Sequence, residues 1–185
     1  MYKDNVLSPA QCEAICALHA QGQHMYRGGR RVPAKIAMTP VTAAGRVRVD
    51  LPLPEDIVET LRAAFAEEHV QVVFPVGHIY RSEYNAESNA DTAVKPHLDA
   101  PERLCAGVVS THTLLIYATT PGTGGRTIVN GVPVDAIAGR VAMFSHKTLH
   151  SGEPLLPGDA PKVVVVARAV VDFATAHTRS MRTRK

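Results

Sequence analysis

The chain has no tryptophan, and its aromatic side chains are limited to five tyrosines and four phenylalanines. The 45% apolar content, which is that of a soluble globular protein, is therefore mostly aliphatic. Three cysteines, Cys12, Cys16 and Cys105, are too few and odd in number to make a disulfide framework. No run of 18 apolar residues is present, so no membrane-spanning helix is expected. The first residues also lack the apolar core of a signal peptide. Together these absences point to a reducing, cytoplasmic setting. Neither sign of charge dominates: 20 Lys and Arg stand against 17 Asp and Glu. That balance argues against nucleic acid as the main partner. The exception is residues 174–185, a basic tail whose last nine residues, HTRSMRTRK, carry no acid. It reads as a solvated terminus or as a contact to an anionic partner. Internal repeats, low-complexity tracts and linkers are all missing, and 185 residues suffice for one domain with a real core.

Ser8-Pro9-Ala10-Gln11 carries the signals of a helix start, with Ser8 as N-cap, Pro9 in the first turn and Gln11 in the capping-box position. Ile15, Cys16 and Leu18 supply its apolar face up to Gly22, and Cys12 and Cys16 lie one turn apart on it. Residues 26–31 are expected to be a loop, and Ile36–Met38 and Arg46–Leu51 to be strands. Pro52 and Pro54 then open a second helix running to about His69, with Ile57, Val58, Leu61, Ala64 and Phe65 at helical spacing. Strands follow at Val70–Phe74 and Ile79–Tyr84. The polar stretch from Asn85 to Lys95 is expected to be a mobile loop near a site entrance.

The chemistry concentrates between Lys95 and Arg168. PHLDA places His97 and Asp99 two residues apart, which in an extended strand sets both on one face. A second imidazole from a distant strand would complete two histidines and one carboxylate on one side of a metal. That set leaves the opposite positions open and suits non-haem Fe(II) and O2. HxD alone is weak evidence. Downstream come the apolar run HTLLIY, the turn residues GTGG, the pair of short runs split at Ala138-Gly139, and FSHKTLHSG. His150 is the favoured distal ligand, with His146 and His112 as rivals; His146 is expected to be an exposed loop residue. In KVVVVAR, Lys162 and Arg168 share one strand face. Two cations at strand ends also occur simply as snorkelling side chains.

These motifs in this order resemble the catalytic core of the Fe(II)/2-oxoglutarate-dependent dioxygenases, especially the small prolyl-hydroxylase-like branch. The matching residues are His97 and Asp99, Tyr117 at the end of an apolar strand, Gly124-Gly125-Arg126-Thr127, Phe144, His150 and Lys162. The resemblance covers about residues 70–173. It implies a mainly β fold, a double-stranded β-helix (jelly roll, cupin-like), with the helices of residues 1–69 bracing the barrel. It implies Fe(II) held by His97, Asp99 and His150, with 2-oxoglutarate and O2 as co-substrates. The far carboxylate of 2-oxoglutarate would pair with Lys162, twelve residues after His150, with Arg168 as alternative or second contact. Tyr84 and Thr113 are further candidates for touching the co-substrate. Arg126 and Thr127 read as structural, and Arg81, Glu102 and Arg103 as residues near the mouth that contact substrate or solvent. The implied reaction is hydroxylation of an unactivated C–H bond, with succinate and CO2 released; desaturation and ring formation stay open. A small molecule, an amino acid or natural-product intermediate, is the expected substrate. A protein or peptide side chain, and a cupin-like metal protein that does not use 2-oxoglutarate, are the alternatives.

Overall fold

Ser8 does begin a helix, and it does so through a reciprocal pair of bonds. The Gln11 N–H donates to Ser8 Oγ at 3.3 Å, and the Ser8 N–H donates to Gln11 Oε1 at 3.1 Å. This satisfies two of the donors that a helix N-terminus leaves orphaned. The computed structural model describes residues 1–21, 24–27, 30–33, 46–74, 76–86, 93–103 and 108–171. The strand expected at Ile36–Met38, Cys105, the centre of the 85–95 loop (87–92) and the basic tail lie outside the described residues.

Helix α1 spans Pro9–Gln21 and buries Cys12 and Ile15, with Cys16 packed partly against the same core. Helix α2 spans Glu55–Ala64. Glu55 and Asp56 complement the positive end of its dipole. Lys3 closes the other end, its ammonium donating to the Ala64 carbonyl at 2.7 Å while pairing with Glu68. The helix stops short of the expected His69, which sits at φ +59° in the turn that follows. Ile57 and Leu61 are fully buried.

The strands are β1 (Tyr2–Lys3), β2 (His24–Arg27), β3 (Arg30–Pro33), β4 (Arg46–Pro52), β5 (Val70–Val73), β6 (Val76–Ser82), β7 (Val94–His97), β8 (His112–Tyr117), β9 (Thr127–Val129), β10 (Val132–Val134), β11 (Val141–Ser145), β12 (His150–Gly152) and β13 (Lys162–Val171). Of residues 26–31, expected as a loop, Tyr26, Arg27, Arg30 and Arg31 belong instead to the paired strands β2 and β3. From β6 onward the chain alternates between two antiparallel sheets. A seven-stranded sheet has the order β1-β11-β8-β13-β6-β4, with β5 joined to β13; a four-stranded sheet has the order β10-β9-β12-β7. This alternation is the double-stranded β-helix.

The larger sheet is buried on both faces, which is why HTLLIY and KVVVVAR read as continuous apolar runs rather than as alternating ones. On one face Leu114, Ile116, Val163, Val165, Ala167 and Ala169 pack against Ile15, Ile57, Leu61 and Phe65 of the helical layer. On the other, Leu115, Tyr117, Ala142, Phe144 and Val164 line the barrel interior. Two tight turns fix the smaller sheet. Asn130 and Gly131 take φ of 49° and 80° between β9 and β10, the positive pair that a two-residue hairpin turn requires. In the double-glycine turn, a Cβ on Gly124 would stand 2.8 Å from the Pro154 carbonyl oxygen. Asp159 holds this turn by accepting from the N–H groups of Thr123, Gly124 and Leu156. No helix among the described residues is long and apolar enough to cross a membrane.

The helical layer and the larger sheet share one core, so its loss should unfold the whole barrel. Leu61→Ala should cost about 2–5 kcal/mol in urea denaturation, whereas Leu156→Ala, 42% exposed, should cost less than about 0.5 kcal/mol.

Candidate metal centre

Strands β7 and β12 are antiparallel neighbours, and their register sets His150 directly opposite His97. Their ring centroids are 4.2 Å apart. Asp99 is not on the strand face that the HxD spacing suggests; it lies two residues beyond the end of β7. The loop turns back there, and the Asp99 N–H donates to the His146 carbonyl at 3.2 Å. One donor atom from each of His97, Asp99 and His150 falls within 4.8 Å of the other two. Both imidazoles are oriented alike. His97 Nδ1 bonds to the Lys95 carbonyl at 2.9 Å and His150 Nδ1 to the Thr148 carbonyl at 3.0 Å. A carbonyl only accepts, so each Nδ1 carries a proton and Nε2 is the ring atom turned towards the site. The two Nε2 atoms face the Asp99 carboxylate, at 3.9 Å from Oδ1 for His97 and 3.7 Å from Oδ2 for His150.

Burial pushes the His150 imidazole towards its neutral, ligating form. The Asp99 carboxyl is opposed by burial but held below its usual range by bonds from Thr113 and Arg168. Two imidazoles and one carboxylate on one side of a point is a donor set that fits a divalent first-row metal with open positions. The rival histidines take other places. His112 is buried in β8 and bonds to Thr111 Oγ at 2.9 Å. His146 is 5% exposed rather than an exposed loop residue, and neither of its ring nitrogens has a bonded partner among the described residues. Burial and the nearby Arg168 push that ring towards its neutral form.

A cavity of about 220 Å³ extends from His97, Asp99 and His150 into the barrel. Tyr80, Leu115, Thr127, Lys162, Val164 and Val166 line it, and Lys162 stands at the end of the inward face of β13 away from Arg168. The Lys162 ammonium donates to the Gly125 carbonyl at 2.5 Å and lies 5.7 Å from the Tyr117 ring centre. Tyr117 in turn donates to Thr127 Oγ at 2.8 Å, and burial pushes its hydroxyl pKa up to about 12. Thr127 is thus a wall residue as well as a structural one. Tyr84 falls beyond the end of β6 and does not line the cavity; Tyr80, four residues earlier on the inward face, does.

Arg168 does not reach the far end of that cavity. It lies six strand positions from Lys162, roughly 20 Å. Its guanidinium lies 2.9 Å from Asp99 Oδ2, 2.5 Å from Thr113 Oγ and 3.2 Å from Glu102 Oε1. Thr113 likewise faces Asp99, donating to Oδ2 at 2.5 Å, and is not a cavity wall. Glu102 continues into a row of charges: His78 Nε2 lies 2.9 Å from it, and His78 Nδ1 lies 2.7 Å from Asp50, which pairs with Arg48. Arg48, Asp50 and His78 carried a visible signal, the alternation of charged and apolar residues in RVRVD and GHIY. Arg81 pairs with Glu83 and Arg126 with Glu153, both at the surface, and Arg103 bridges to Val109.

No protein-family model matches the sequence, and no curated protein does. Solved structures do match in fold. The viral collagen prolyl hydroxylase from Paramecium bursaria Chlorella virus-1, in complex with 2-oxoglutarate, is 14% identical. The match covers 93% of this chain and 96% of that one, with a TM-score of 0.59. A Pseudomonas putida prolyl-4-hydroxylase is 13% identical over 93% and 92% of the two chains, at 0.58. The 2-oxoglutarate-dependent epimerase SnoN of nogalamycin biosynthesis is 18% identical over 92% and 77%, at 0.60. The fold is therefore the double-stranded β-helix seen in Fe(II)/2-oxoglutarate oxygenases.

The charge row makes stability pH-dependent. Burial alone would lower the His78 pKa, but bonds to Asp50 and Glu102 outweigh both burial and the nearby Arg48 and raise it. A raised folded-state pKa stabilises fully below the unfolded value of about 6.5 and is lost as pH rises through the folded value. The stability gap between the unaltered chain and His78→Gln should be widest below pH about 6.5 and narrow above it. Urea denaturation across pH 5.5–9 checks this, and a gap that widens with pH would contradict it.

Proposed function

We propose that the chain is an Fe(II)- and 2-oxoglutarate-dependent oxygenase that hydroxylates a C–H bond of a small molecule. The observation that carries this reading is the pairing of two features in one cavity: a His97–Asp99–His150 donor set at one end and the Lys162 ammonium at the other. A five-carbon keto diacid needs those two ends. The cavity is smaller than the ~300–1,000 Å³ of drug-sized sites, which suits a compact co-substrate.

His97, Asp99 and His150 would hold Fe(II), which with the keto acid and O2 supplies oxidative decarboxylation to succinate and CO2 and oxygen insertion into a C–H bond. The chain's own contribution is placement. Lys162 takes the far carboxylate by a charge-assisted bond, and Tyr80 and Thr127 stand in the same walls. Leu115, Val164 and Val166 keep water from the diacid's methylenes. The Lys95 and Thr148 carbonyls hold the ligand rings in one tautomer. The whole chain would serve as one catalytic unit. The free thiols Cys12 and Cys16 suit a reducing cytoplasm.

The relatives in fold include enzymes named for prolyl residues and one for a natural product, so the test offers both kinds of substrate. Succinate release should be followed with Fe(II), 2-oxoglutarate and panels of amino acids, natural-product intermediates and prolyl peptides. Turnover coupled to a member of the small-molecule panels is expected; turnover with peptides alone would move the substrate class. His97→Ala, Asp99→Ala and His150→Ala should each abolish turnover and leave the thermal midpoint within a few degrees. Lys162→Ala should raise the 2-oxoglutarate concentration needed by about ten- to a hundredfold, the loss of one bond to a charged group. Metal binding without any succinate would support a cupin-like protein instead.

A further inference from the structure

The inward face of β13 runs Lys162, Val164, Val166, Arg168, and the last of these needs explaining. Arg168 is 7% exposed. An aliphatic residue there would continue the face without the desolvation that a buried guanidinium incurs, and buried ion pairs are poor stabilisers compared with apolar packing. The position is also wrong for the far carboxylate of the diacid, which Lys162 serves. Every edge of the guanidinium is already engaged by Asp99, Thr113 and Glu102.

We propose that Arg168 is a positioning residue for the metal centre: with Thr113 it fixes the Asp99 carboxylate towards His97 and His150, and Glu102 holds Arg168 in that place. The proposal rests on the reading of His97, Asp99 and His150 as metal ligands. Asp99 Oδ2 receives both the Thr113 hydroxyl and the Arg168 guanidinium, while Oδ1 has one longer contact, 3.5 Å from Arg168 Nη2. Oδ1 is therefore the oxygen left for an ion. Asp99 sits on a loop, not on the strand, so nothing in the β7 ladder sets its rotamer; the bonds from β8 and β13 do. A lone guanidinium beside a divalent ion would oppose that ion. Glu102 removes the conflict, because its carboxylate neutralises Arg168 and is itself held by His78. Glu102 lies three residues after Asp99, so one loop supplies both the ligand and the counter-charge to the ligand's holder.

Co(II) titration of the full chain, read by its visible absorption, measures the effect without turnover. Arg168→Met should weaken Co(II) binding about ten- to a hundredfold, the usual size for loss of a group that orients a ligand. Arg168→Lys should recover only part of this, since an ammonium lacks the fork that meets two oxygens. Glu102→Gln, which keeps shape and leaves Arg168 and Thr113 in place, should weaken binding severalfold and covers the case in which Arg168→Met does not fold. At saturating Fe(II), the 2-oxoglutarate requirement of Arg168→Lys should match that of the unaltered chain, whereas Lys162→Ala shows the reverse pattern. Unchanged Co(II) affinity in Arg168→Lys and Glu102→Gln, or a raised 2-oxoglutarate requirement at unchanged metal affinity, would overturn the proposal. If the unaltered chain binds no Co(II), or binds it equally after His97→Ala, the ligand reading fails and the proposal with it. Normal binding that depends on His97 and His150 but not on Arg168 removes the proposal alone.

Discussion

The antiparallel register between β7 and β12 is the constraint on which the rest of the site depends. It places His150 opposite His97, fifty-three positions apart in sequence, with their rings 4.2 Å between centres. A slip of one residue would turn one imidazole to the opposite face of the sheet. The short strands of the smaller sheet could not hold that register alone. β12 is also paired with β9, β9 is closed onto β10 by the Asn130-Gly131 turn, and Phe144 from the larger sheet packs on the His150 ring at 4.6 Å. The histidine pair is therefore set by contacts from both sheets.

The larger sheet acts as the fixed wall against which this is built. Its outer face is sealed by Ile15, Ile57, Leu61 and Phe65, and its inner face changes character along β13 from cation to valines to cation. One strand thereby carries two cations six positions apart: Arg168 meets the protein's own carboxylate at Asp99, and Lys162 is the one proposed to meet a diacid's. The barrel needs no further element to separate them, because strand rise does so.

Much of the fold was legible because its signals are local. The apolar runs HTLLIY and KVVVVAR, the Ser8 cap and the Gly124-Gly125 turn mark their elements directly, and the order of motifs from His97 to Lys162 suggested the barrel. Boundaries were less legible. The second helix stops at Ala64 because the following turn puts His69 at positive φ, and the strand expected to reach Tyr84 ends at Ser82. That two-residue difference moved the inward tyrosine from Tyr84 to Tyr80. The partners of Arg168 were not legible at all. Lys162 and Arg168 look equivalent in sequence, and only cross-strand geometry shows Lys162 at the far end of the cavity and Arg168 at its other end, engaged by Asp99 and Glu102. His146 misled for the opposite reason: a polar residue beside a turn is usually solvated, yet here the HxD loop folds over it.

The bond between the Lys162 ammonium and the Gly125 carbonyl has a consequence for discrimination among acids. The ammonium is already docked on an uncharged acceptor fixed by the double-glycine turn, so its geometry is set before any ligand arrives. An ammonium carries three N–H donors, and that carbonyl takes one of them in a fixed direction. A second carboxylate offers a full negative charge at short range; a hydroxyl, an amide or a bare methyl at the same place offers no more than the backbone already does. On the proposed reading, keto acids lacking a distal anion, pyruvate-like in length or capped as amides, would forgo the charge pairing at Lys162 and bind more weakly.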